Sequence, residues 1–177
     1  VLRLSVDQLL DLYAAMAWSD ATVWEAVRSL DGAPIDARLR DTLLHLHVVQ
    51  GAFLAVWTNR PVSFPTAADF PTLGSLQRLA ESYHREVTPY LRSLDEGALE
   101  RPVVMPWVDE FARASGRTFA RPILAETCYQ VVSHSRYHLG QANGRLRELG
   151  VTPPLVDYIA WVWFGRPQPR WPATGQT

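Results

Sequence analysis

Apolar side chains recur at three- and four-residue intervals between positions 6 and 30, at Leu9, Leu10, Tyr13, Met16, Ala17, Val23, Trp24, Val27 and Leu30. That period predicts a long helix with one buried face. Ser5 stands before it as a cap, and Asp31-Gly32 follows it as a stop. Pro34 and Asp36 restart the chain into a second helix, whose apolar set is Leu39, Leu43, Leu46, Val49, Phe53, Leu54 and Trp57, and which stops near Asn59-Arg60-Pro61. A proline-punctuated loop leads to a third helix from about Thr72 to Leu94, with Leu76, Leu79, Tyr83, Val87, Tyr90, Leu91 and Leu94 inward and Pro89 as a kink.

The period is lost over residues 101–120. Pro102, Val103, Val104 and Pro106 precede a polar stretch at Ser115-Gly116-Arg117, and this reads as a β-hairpin excursion or an irregular ordered loop. A fourth long helix then runs from Arg121-Pro122 to Glu148-Leu149, where Gly150 supplies the stop. A short fifth helix follows Thr152-Pro153-Pro154, with Val156, Ile159, Val162 and Trp163 expected inward. These elements predict an all-α chain: a four-helix bundle over residues 1–165 forming one domain, and a peripheral, loosely ordered proline-rich tail over 166–177.

Composition changes the picture mainly by exclusion. All 17 basic residues are arginine, so mechanisms that require a chain lysine are absent. The single thiol, Cys128, cannot form an intramolecular disulfide or a thiolate-rich metal site, and reads as a small buried residue. A net charge of −1 without a basic stretch argues against nucleic acid. The apolar runs are too short for a membrane span, and no charged segment leads into an apolar one at the N-terminus, so the expected location is cytoplasmic.

Chemistry must then come from the five histidines. His134 and His138 lie four apart in the fourth helix, which sets both imidazoles on one face about one turn apart, where they can share a metal ion. That face also takes in Thr127, Val131, Gln141 and Arg145. A third ligand from the second helix would be His45 or His47, which point about 200° apart, and helical spacing does not choose between them. His84 is a weaker candidate, because Ser82, Arg85 and Glu86 make its surroundings read as a solvated face. Asp20 and Thr127 are minor candidates for the cavity wall. Gly140, costly inside a helix, suggests close helix approach or pocket space.

The segment from Val131 through His134 and His138 to Gly140-Gln141, followed by Leu149-Gly150, Pro153-Pro154 and Asp157, resembles the fourth helix and exit of the DinB-like (DinB/YfiT) family, which reads His-x-x-x-His-x-Gly-Gln. Thr42-Leu43-Leu44-His45 resembles the family's Thr-Leu-x-His segment, in which the histidine is the first ligand. The resemblance spans about residues 6–163 and selects His45 over His47. It implies one divalent ion, zinc or nickel foremost and iron or manganese as alternatives, held by His45, His134 and His138. It also implies a metal-dependent hydrolase or a transferase acting on a low-molecular-weight thiol, with a small-molecule substrate, in a homodimer. The family often has arginine after the second histidine of the pair, where this chain has Leu139, so an anion-binding role would fall to Arg136 or Arg145. Gln141 is a candidate to orient a ligand or contact substrate. The rival reading is a non-catalytic helical binding or stress-response module with a structural or vestigial ion. Trp161, Trp163 and Trp171 are the aromatic residues expected at a dimer contact, with Trp18, Trp24, Trp57 and Trp107 in the core or as pocket walls.

Overall fold

A computed structural model describes residues 3–30 and 36–173. The predicted stop at Asp31-Gly32 and the restart at Pro34 lie outside the described residues. The chain forms α1 (Val6–Arg28), α2 (Ala37–Trp57), α3 (Leu73–Arg92), α4 (Val108–Ser115), α5 (Leu124–Glu148) and α6 (Tyr158–Trp163), with short 3-10 turns at Ala67–Asp69 and Gly97–Glu100. No strand occurs among the described residues, and the fold is an all-α bundle of α1, α2, α3 and α5.

Side chains satisfy the helix starts. Ser5 and Gln8 form a reciprocal capping box on α1, and Asp36 accepts the Leu39 amide at 2.8 Å on α2. Thr72 and Ser75 form the same kind of box on α3. Glu126 takes the Ile123 amide at the start of α5, and Gly150, at φ 83°, closes its far end in the left-handed conformation.

In cross-section α1 packs against α3 and α5, and α2 packs against α3 and α5. The α1–α3 and α2–α5 contacts therefore lie on opposite sides of the bundle. Two apolar clusters fill it. One contains Leu9, Tyr13, Met16, Phe53, Trp57, Val87 and Val131; the other contains Val23, Trp24, Leu43, Leu46, Leu76, Leu139 and Leu146. Between them along the axis lies a layer of buried polar side chains: Asp20 of α1, His47 and Gln50 of α2, His84 of α3 and Ser135 of α5.

Three sequence expectations change. Residues 101–120 make no hairpin: Val108–Ser115 is helical, and only an isolated antiparallel bridge joins Pro102 to Ile123. In α6 the buried residues are Ala160 and Trp161, whereas Ile159 and Trp163 face outward, Trp163 at 71% exposure. Such a short helix shows too little of a period to phase it. The C-terminal segment also lies against the bundle. Trp161 Nε1 donates to Pro167 O, Gln77 Nε2 donates to Pro172 O at 2.6 Å, and Trp171 packs on His84.

Candidate metal centre

His45 of α2 meets His134 and His138 of α5 where these two helices pack together. The Nε2 atoms of His45 and His134 are 3.2 Å apart, and those of His134 and His138 are 3.1 Å apart. Two nitrogens each about 2.0–2.1 Å from a tetrahedral ion would lie about 3.3–3.4 Å apart, so the spacing suits a shared cation. His45 is exposed and its two partners are half-buried, which leaves the group open to small molecules.

The protonation states agree with that use. Gln141 Oε1 lies 2.7 Å from His138 Nδ1, so in the neutral ring Nδ1 carries the proton and Nε2 presents a lone pair to the cluster. Burial, then the neighbouring His138 and His45, pulls His134 down to about 4. Burial likewise lowers His138, with the Gln141 bond opposing. Above pH 6.5 both rings are therefore neutral donors, as ligation requires. His134 Nδ1 is buried and has no hydrogen-bond partner among the described residues, so His138 is the better supported of the pair. The three histidines could hold one ion through nitrogen alone, a donor set that suits zinc, copper, iron or nickel.

His47 points elsewhere. Trp24 Nε1 donates to His47 Nε2 at 2.9 Å, so His47 Nδ1 is the donor to Gln50 Oε1 at 2.8 Å. Gln50 Nε2 in turn donates to Asp20 Oδ2 at 2.9 Å and Ser135 Oγ at 3.0 Å. Burial lowers His47 to about 4, which keeps it neutral in this chain of bonds. His84 is not on a solvated face: it is buried, and its Nε2 donates to Asp20 Oδ2 at 2.7 Å. Burial alone would push Asp20 up, but the His84 hydrogen bond and charge outweigh it, and the carboxyl lies below its ordinary value. The inward spacing of Leu76, Ala80, Tyr83 and Val87 already carries position 84 along the buried face; its polar neighbours in sequence concealed this.

The remaining sequence candidates separate. Gln141 joins the cluster, as described. Arg136 turns toward α1, donating to Ser19 Oγ at 2.8 Å and to Val156 O. Arg145 is held by Asp36, at 2.6 Å, and by Glu148. Leu139 is buried in the second apolar cluster. Thr127 takes the Trp57 indole proton at 3.0 Å, and burial pushes the Cys128 thiol up to about 12, so neither serves the cluster. A Cβ on Gly140 would meet only open space, so no close approach requires this glycine. Tyr137, which sequence reasoning passed over, is exposed and sets its ring edge-to-face with His138.

Among curated proteins, the chain is similar to an uncharacterized protein, YizA, of Bacillus subtilis (strain 168). The two are 22% identical over 118 residues, covering 67% of this chain and 69% of that protein. The model of the DinB family matches residues 6–170, a span that takes in all four bundle helices, the three clustered histidines and most of the packed C-terminal segment. The chain belongs to the DinB family.

Proposed function

We propose that His45, His134 and His138 bind one divalent ion, zinc or nickel foremost, and that the site is catalytic. The observation that carries this reading is the convergence of three Nε2 atoms from two helices, with one ring oriented by Gln141. A purely structural site closes its coordination with protein ligands, whereas three imidazoles leave room for another. When bound, such an ion supplies Lewis acidity, which brings the pKa of a water toward about 7 or keeps a thiol ionised. These two uses correspond to a hydrolase and to a transferase acting on a low-molecular-weight thiol. Cys128, buried and poorly acidic, gives the chain no competing thiolate, so thiol chemistry here would require a soluble thiol. With Arg136 and Arg145 both engaged elsewhere, an anionic substrate group would be drawn to the uncompensated charge of the site itself.

Metal analysis of untagged protein is expected to find about one divalent ion per chain, and His134→Ala to lose it. Retention of the ion by that variant would refute the assignment. Metal-dependent binding of small thiols, against metal-dependent cleavage of ester or amide substrates, separates the two chemistries. A chain that binds metal and shows neither supports the non-catalytic module instead. We also propose a homodimer through the outward face of α6 and its C-cap, where Trp163 and Phe164 are exposed. Sedimentation equilibrium should find a dimer that Trp163→Glu converts to monomer; a monomeric parent chain would dispose of this proposal.

A further inference from the structure

We propose that a cavity of about 480 Å³, bounded by α1, α3 and the C-terminal segment, is a second binding site, and that its ligand is a small organic carboxylate with a flat apolar body. It lies on the α1–α3 side of the bundle, opposite the α2–α5 side that carries the histidine cluster, and does not depend on the metal reading. Its volume is that of a small-molecule pocket.

Its distinguishing group is His84. The buried polar layer contains a directed run of donors: Trp24 to His47, His47 to Gln50, and Gln50 to Asp20. His84 Nε2 is spent on Asp20 Oδ2, so Nδ1 is the nitrogen left for a ligand, and it has no partner among the described residues. The buried carboxylate orients the imidazole from behind, which leaves Nδ1 to share a hydrogen bond with a ligand carboxyl group. Arg85 and Arg92 line the same cavity two turns apart on α3, and neither has a carboxylate within ion-pair distance among the described residues. Guanidinium forks match a carboxylate in shape and charge. Glu81, the acid in the lining, is engaged by the Gln77 amide at 2.6 Å. Apart from Thr88 and Gln168 the rest of the wall is apolar: it includes Ala14 and Ala17 of α1 and, from the C-terminal segment, Trp171, whose ring centroid lies 5.6 Å from that of His84. Small residues together with an indole leave a slot suited to a flat body.

The test is titration of the full chain with sodium benzoate, followed by calorimetry and by the His84 imidazole signals in NMR spectra, identified by their loss in His84→Gln. Saturable binding below about 1 mM is expected, with movement of those signals. Arg85→Ala/Arg92→Ala, which alters only exposed side chains, should weaken it at least tenfold, and neutral benzamide should bind at least tenfold more weakly. His134→Ala/His138→Ala should bind benzoate within twofold of the parent, which separates this site from the metal centre. No saturation below about 1 mM, equal affinity in the double-arginine variant, or loss of binding with the histidine cluster overturns the proposal. Inorganic phosphate binding as tightly as benzoate overturns the flat-body requirement.

Discussion

Gln141 fixes which nitrogen of His138 faces the cluster, because its carbonyl oxygen takes the Nδ1 proton at 2.7 Å. Without that acceptor the ring can turn or change tautomer, and the lone pair is no longer held toward His134. Gln141→Ala is therefore expected to lower metal affinity about 10–100-fold, measured by competition with a chromophoric chelator, while Gln141→Glu retains most of it. Gln141 is exposed, so the thermal stability of the metal-free chain should not change. An affinity within twofold of the parent would remove Gln141 from the site. The i, i+4 histidines and the glutamine three residues on were legible in the sequence because one helix fixes their relations. The choice of His45 over His47 was legible only through family resemblance. What decides it physically is Trp24, 23 residues away in sequence, which donates to His47 and draws it into the polar layer.

Among elements, the clearest coupling is between the start of α2 and the end of α5. Asp36 caps α2 through the Leu39 amide and also takes two hydrogen bonds from Arg145. Those bonds, ahead of the opposing effect of burial, hold its carboxyl down at about 2. A carboxylate whose folded pKa lies below its unfolded value of about 3.9 adds stability that is fully present above that value and is lost as pH falls through the folded pKa. Asp36→Asn keeps a capping oxygen but removes the charge. It is expected to lower Tm by roughly 2–4 °C above pH 5, with the difference closing between about pH 4 and pH 2 as the parent carboxylate protonates. A difference that stays constant to pH 2 would show that the charge contributes nothing. The same scale shows why α4 was hidden. Asp109 and Glu110 in its first turn, Arg113 in its last and left-handed Gly116 beyond it are helix signals, but Pro102, Pro106 and the paired valines before them obscured an eight-residue element with no buried residue of its own.

At the scale of the molecule, the polar layer divides the bundle's interior into two apolar clusters and ties all four long helices to one carboxylate or its neighbours. The bundle itself was legible because each long helix repeats its apolar period over many turns. The layer was not, since each member is a single polar residue in an apolar face and its partners come from other helices. The C-terminal segment seals this layer at α3: Trp171 covers His84, and Pro172 supplies the acceptor for Gln77. Its prolines suggested a free tail, yet an extended chain with few amide donors suits a groove whose polar needs are one acceptor and one aromatic cover. Truncation after Arg166 would uncover that side of the molecule and remove the burial of one indole, a loss of about 2 kcal/mol. Tm should fall by roughly 4–8 °C. His84, 8% exposed in the intact chain, should react faster with diethylpyrocarbonate, while metal content stays near one ion per chain because the cluster lies on the far side. If the truncated chain melts with the parent and His84 reacts no faster, the segment is not the cover. If it loses its ion as well, the polar layer and the metal centre are energetically one unit, joined through Gln50 and Ser135 next to His134.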